Sequence, residues 1–112
     1  MTIFKKIIDK QIPAKICFED AECLAFHDLH PQAPVHVLLI PKREIKSMAE
    51  VTEADQKLLG HLMSVVPLIA EKLGIAKEGF RLVSNCREFG GQTVDHLHFH
   101  ILGGRPMGWP PG

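Results

Sequence analysis

The chain has no net charge: thirteen Lys plus Arg balance thirteen Asp plus Glu across 112 residues. A general nucleic-acid or anionic-membrane binder would carry a basic excess, so that class is excluded. No apolar run approaches the ~20 residues of a membrane-spanning helix. Met1–Lys15 also lacks the continuous apolar stretch of a secretory signal, because lysines interrupt it. Cysteine is scarce: Cys17, Cys23 and Cys86 are odd in number and show no CxxC spacing. Neither a disulfide framework nor a Cys-based zinc site is suggested. There is no internal repeat, low-complexity tract or linker, so residues 1–112 are expected to form a single domain. Together these absences predict a soluble, reduced, cytoplasmic domain without nucleic-acid or membrane partners.

What is present can fold: hydrophobic residues make up 46% and charged residues 23%. Thr2 is placed to cap a short helix carrying Phe4, Ile7 and Ile8 on one face, stopped before Pro13. Ile16–Glu19 and Cys23–Asp28 read as a hairpin, and His36–Ile40 as a β-branched strand closed by Pro41. Thr52, with Asp55 three residues on, opens a long helix that Gly74 ends. Phe80–Asn85 reads as a strand, Cys86–Asp95 as a glycine-rich loop, and His96–Leu102 as a final strand. The pattern predicts an α+β fold: a largely antiparallel sheet with one short N-terminal and one long central helix.

On the long helix, Leu58, Leu59, Leu62, Met63, Val65, Val66, Ile69, Ala70 and Leu73 span roughly 160° at 100° per residue. A helix lying on one sheet needs nearer ~100°. The excess reads either as a deep core or as a second surface buried in a homodimer, and the dimer is favoured.

Histidine is the anomaly: three of the seven fall within His96-Leu97-His98-Phe99-His100. In a strand the imidazoles share one face, opposite Leu97, Phe99 and Ile101, and can line a cleft. An idle strand face holding three histidines in strict alternation is the bland reading. A metal site is the second. His96 and His100 would stand ~13 Å apart at ~3.3 Å per residue, beyond one zinc ion's reach. No Asp, Glu or Cys with ligand spacing accompanies them, so no metal or cofactor is expected. The third reading is catalysis at an anionic group by a central imidazole whose neighbours manage protons and charge. Gly90-Gly91-Gln92-Thr93, running into the histidines, favours it. Glycines let backbone approach a ligand, and amide and hydroxyl donors follow at once.

His96-Leu97-His98-Phe99-His100-Ile101-Leu102 resembles the signature of the histidine triad superfamily of nucleotide hydrolases and transferases. Within it, Ile12-Pro13-Ala14-Lys15-Ile16, Phe26-His27-Asp28, Pro31-Gln32-Ala33-Pro34 with His36, and Leu102-Gly103-Gly104-Arg105-Pro106 ending Trp109-Pro110-Pro111-Gly112 are similar to the Hint branch. The resemblance implies a homodimeric purine nucleoside phosphoramidase that releases AMP or GMP and an amine. It implies His98 as nucleophile, His100 as a phosphate contact, and His36 with His96 as a proton-relay pair. It also implies Asn85, Gln92 and Thr93 around the α-phosphate and Asp28 on the ribose hydroxyls. Ile3, Phe4, Ile7, Phe26, His27 and Leu29 would surround the nucleoside, with Trp109 near the leaving group. The sister branch of dinucleoside polyphosphate hydrolases and a non-enzymatic nucleotide-binding module are the alternatives. Thr93 stands where many Hint proteins have Ser, Asp95 replaces a frequent Tyr, and Cys86-Arg87-Glu88-Phe89 departs from the usual loop.

Overall fold

In the computed structural model, which describes residues 1–112, the first helix begins where the sequence predicts. The Thr2 hydroxyl accepts from the Lys5 backbone N–H at 3.1 Å and caps α1 (Ile3–Ile8). The chain then runs through β1 (Ile16–Glu19), β2 (Cys23–His27) and β3 (Val35–Pro41) as an antiparallel meander. Two 3-10 turns, Met48–Glu50 and Glu53–Asp55, lead into α2 (Gln56–Lys72). β4 (Arg81–Val83), the one-turn helix α3 (Arg87–Gly90) and β5 (Phe99–Gly103) follow. The five strands form one antiparallel sheet in the order β1-β2-β3-β5-β4. This is the α+β architecture expected.

β2 and β3 are apolar along most of their length because helices cover both faces of the sheet. Cys23, Ala25, Val37, Leu39, Phe99 and Ile101 join Leu58, Leu62, Val65, Val66, Ile69 and Ala70 of α2 in the larger core. Leu24, Phe26, Leu38 and Ile40 point the other way, where they meet Phe4 and Ile7 of α1. Each fully buried side chain of this size is worth ~1.5–3 kcal/mol. A one-residue slip would exchange the two faces, so these clusters fix the register.

Thr52 and Asp55 form the predicted capping box, although a 3-10 turn intervenes before α2 itself. The buried arc of α2 runs from Val65 round to Ala70, roughly 140° at 100° per residue. Leu59 and Leu73 pack half-buried against the same core, and Met63 at the margin is 39% exposed. The chain's own core fills the wide apolar face. That width is therefore no measure of a second buried surface.

The expected strand over His96–Leu102 is corrected: β5 begins only at Phe99. Leu39 pairs with Phe99, so a longer ladder would set Leu97 against Pro41, which has no N–H to give. Leu97 N–H instead donates to Ile45 O at 2.6 Å, and the Ser84 hydroxyl donates to His98 O at 2.9 Å. β4 is likewise shorter than Phe80–Asn85. Within the predicted loop, Arg87–Gly90 makes a helical turn, which Gly91 ends at φ 82°, a conformation suited to glycine. No helix is long and apolar enough to cross a membrane, and all three cysteines are free thiols.

Candidate active site

The alternation of faces survives the loss of the regular strand. Leu97, Phe99 and Ile101 enter the larger core, while the imidazoles lie on the α1 side. Phe4 meets His96 and His98 edge-on, at 6.3 and 5.0 Å between ring centroids. The three histidines do not share one situation. His96 is buried and donates Nε2–H to Pro41 O at 2.8 Å, so it does not line a cleft as expected. His98 and His100, 5.1 Å apart, open on a cavity of about 320 Å³.

Backbone groups decide which nitrogen carries each proton. His98 Nδ1 lies 2.6 Å from His96 O. A carbonyl only accepts, so Nδ1 holds the hydrogen and Nε2 keeps its lone pair. The Gln32 backbone N–H donates to His36 Nδ1 at 3.0 Å, which leaves the His36 hydrogen on Nε2. That hydrogen goes to His100 Nδ1 at 2.8 Å, and His100 must then carry its own on Nε2. The cavity therefore faces one imidazole acceptor and one imidazole donor. His36 partners His100, not His96, which corrects the expected His36–His96 pair.

Burial lowers His36, His96 and His98 below the ordinary histidine value, against the smaller upward pull of Asp28 on His36 and His98. His100 is lowered to about 4, by burial first and then by His98 and His36. All four rings are neutral at pH 7. No buried side-chain nitrogen or oxygen lacks a hydrogen-bond partner.

Asp28 completes the group. Its Oδ1 accepts from His30 N–H at 2.8 Å, and Oδ2 lies 3.5 Å from His36 Nε2. In sequence, no Asp, Glu or Cys with ligand spacing accompanies the three histidines. Asp28, His36 and His100 in fact bring possible ligand atoms within 4.8 Å of one another. Both nitrogens of His36 are already engaged, however, so a cation there would have to break an existing bond. Ile3, Phe4, Ile7, Phe26, His27 and Leu29 line the same cavity as His98 and His100. Phe4 and Phe26 pack edge-on at 5.4 Å.

Residues 9–107 match the HIT domain family. An uncharacterized HIT-like protein of Synechococcus elongatus is 56% identical over 99% of this chain and 96% of its own length. The chain belongs to the HIT domain family. A HIT family hydrolase from Legionella pneumophila is similar in structure, with TM-score 0.97, 45% identity and full coverage of both chains. A histidine triad nucleotide-binding protein from Candida albicans has TM-score 0.83 at 30% identity, over 98% of this chain and 83% of its own.

Not every expected residue of this HIT domain reaches the cavity. Thr93 lines it, with Val94, but Asn85 and Gln92 do not. The Gln92 amide is spent on backbone groups of its own loop and of Lys46. Its Oε1 accepts from Arg87 N–H at 2.8 Å, and Nε2 donates to Lys46 O at 2.7 Å and Val94 O at 2.9 Å. Gln92 thus holds the loop that presents Thr93. Trp109 lies away from the cavity beside β4, where the Arg81 guanidinium stands 6.0 Å from its ring and donates to Gly108 O at 2.7 Å. Sequence reasoning missed Lys15, the lining's one ammonium, and His30. It also missed the Gln32 N–H and Pro41 O, because a backbone group has no residue-type signal.

Proposed function

We propose that this HIT domain hydrolyses purine nucleoside 5′-phosphoramidates at the P–N bond through a covalent nucleotidyl–His98 intermediate. Nucleotide chemistry is supported by the family, in which the Legionella relative is named a hydrolase and the Candida relative a nucleotide-binding protein. The observation that carries the mechanism is the 2.6 Å bond from His98 Nδ1–H to His96 O. It leaves Nε2 as an unprotonated nucleophile. Attack on phosphorus forms an Nε2–P bond, and the ring's new positive charge is stabilised by the same carbonyl.

The P–N bond then breaks, and the amine departs with a proton taken from solvent. Water adds to phosphorus, the Nε2–P bond breaks, and the proton it releases balances the one taken up. His100 Nε2–H is the donor to a phosphoryl oxygen, and His36 orients it. Thr93 donates its hydroxyl from the loop. Asp28 accepts from the ribose hydroxyls, and the apolar wall from Ile3 to Leu29 receives the base. The scheme calls for no metal. The molecule works as a homodimer in this reading, a role suited to β4, which stands at an edge of the sheet.

The deciding experiment is turnover of a fluorogenic adenosine phosphoramidate by the wild type and by His98→Ala. The variant should lose on the order of 10³-fold or more in kcat while still binding AMP. Rapid quench in alkaline denaturant, where an N–P bond survives, should recover the nucleotide on the His96–His100 peptide. Strong activity in His98→Ala would overturn the mechanism. Preference for diadenosine triphosphate over the phosphoramidate would favour the sister-branch hydrolase, and binding without turnover a regulatory module.

A further inference from the structure

Across the sheet from the histidine cavity, Asp20, Cys23 and His61 gather at the end of the β1–β2 hairpin. Their carboxylate oxygen, thiol sulfur and imidazole nitrogen all lie within 4.8 Å of one another. His61, on α2, reaches Asp20 Oδ2 at 2.6 Å, and Glu22 Oε2 lies 3.9 Å from the same nitrogen. The other Asp20 oxygen accepts from the backbone N–H groups of Glu22 and Cys23 at 2.8 and 2.9 Å. The carboxylate is thus held in place by outer partners, as ligating carboxylates are. Cys23 is fully buried at the back, while Asp20 and His61 remain partly open to solvent.

We propose that Asp20, Cys23 and His61 form a tetrahedral zinc site that ties the β1–β2 hairpin to α2. One carboxylate and one thiolate supply two negative charges, matching a divalent cation. A sulfur–nitrogen–oxygen set suits zinc, whereas magnesium and calcium take oxygen ligands. With bonds of ~2.0–2.3 Å, tetrahedral ligand atoms stand roughly 3.3–3.7 Å apart. The Asp20–His61 pair, at 2.6 Å, needs to open to that spacing, and the sulfur already lies within 4.8 Å of both. Glu22 or water takes the fourth position. Without a cation the thiol keeps its proton, because burial and Asp20 push it up to about 12. Zinc displaces that proton to solvent as the S–metal bond forms. The site shares no residue with the cavity, so it stands whether or not the proposed hydrolysis does.

Cobalt titration of the metal-stripped full chain tests it. The wild type should develop a thiolate-to-cobalt charge-transfer band that saturates at one equivalent and is bleached by zinc. Cys23→Ser should abolish the band, whereas Cys17→Ser, Cys86→Ser and His36→Ala should keep it. His61→Ala should weaken cobalt binding by at least ~10-fold, the lower end of what even outer partners are worth. Zinc should raise the melting temperature of the wild type, and raise that of His61→Ala by less at the same concentration. A missing band in the wild type, a band that survives Cys23→Ser, or equal zinc shifts in both proteins would overturn the site. If Cys23→Ser does not fold, the comparison of His61→Ala with the wild type decides alone.

Discussion

His36 Nε2 and His100 Nδ1 lie 2.8 Å apart although 64 residues separate them in the chain. The sheet makes the meeting: β3 and β5 pair His36 with Leu102 and Leu38 with His100, so the two rings are diagonal neighbours on one face. The Gln32 N–H on the far nitrogen of His36 gives this bond its direction. Removing His36 should let the His100 ring turn and lose its tautomer, with the phosphate donor misplaced as a result. His36→Ala should cost ~10–100-fold in kcat, the scale of an outer partner that orients a working group. AMP affinity, read by calorimetry, should change far less. An equal loss in both would make His36 a binding residue instead.

The pH dependence of turnover should show where the His98 lone pair is lost. The sequence alone puts this near the unperturbed value of ~6.5. Burial lowers His98 in the folded chain, so the acid limb of kcat/KM should be centred below that value. An acid limb centred at or above ~6.5 would show that His98 titrates as an exposed histidine.

How much of this the sequence carries depends on the range of the interaction. The Thr2 and Asp55 caps, the α2 stripe and the opposed faces of Leu97 and His98 follow from spacing within a few residues, and all are legible. The meeting of Asp28 with His36 and His100 depends on strand register, which no local pattern states. The inward turn of His96 arises because Pro41, opposite Leu97, cannot extend the ladder. Its free carbonyl then accepts the His96 ring. Gln92 has the residue type of a ligand donor, yet Lys46 O and Val94 O already take its amide N–H groups.

Removal of metal should not affect turnover. Gln32 N–H and His100 already occupy both nitrogens of His36, and the proposed attack uses an imidazole alone. Dialysis against a strong chelator should leave the phosphoramidase rate unchanged. Loss of activity restored by zinc in His61→Ala as well as in the wild type would instead place a working cation among Asp28, His36 and His100.

The C-terminal tail has its own prediction. Within one chain it is pinned beside β4 by Arg81 and stays clear of the cavity. In the proposed homodimer it is free to reach the partner's leaving-group side. Deleting Met107–Gly112 should change discrimination among amine leaving groups while AMP affinity stays in place. Identical leaving-group profiles would show that the tail takes no part in the site.

Stability should fall as pH drops below ~6.5, well before the carboxylates are protonated. His36, His96, His98 and His100 are all lowered in the folded chain, chiefly by burial. Below the ordinary histidine value the unfolded chain therefore binds protons that the folded chain refuses. The stability these neutral rings contribute is complete above the unfolded value. It is lost as pH falls towards the folded values, about 4 for His100. Each ring contributes at most ~1.4 kcal/mol per pH unit over its own window. The acids lie lower and do not obscure the effect. Glu19 and Glu50 are lowered from 4.5. Asp20, where backbone bonds and His61 outweigh burial, is lowered from 3.8 to about 2. Their losses begin near their unfolded values, so between pH ~6.5 and ~4.5 the imidazoles dominate. Urea unfolding midpoints should decline steadily across that interval, and less steeply in His100→Asn. A midpoint flat from pH 7 to pH 5 would mean that the four rings protonate as readily folded as unfolded, and that the neutral pair His36–His100 does not exist in solution.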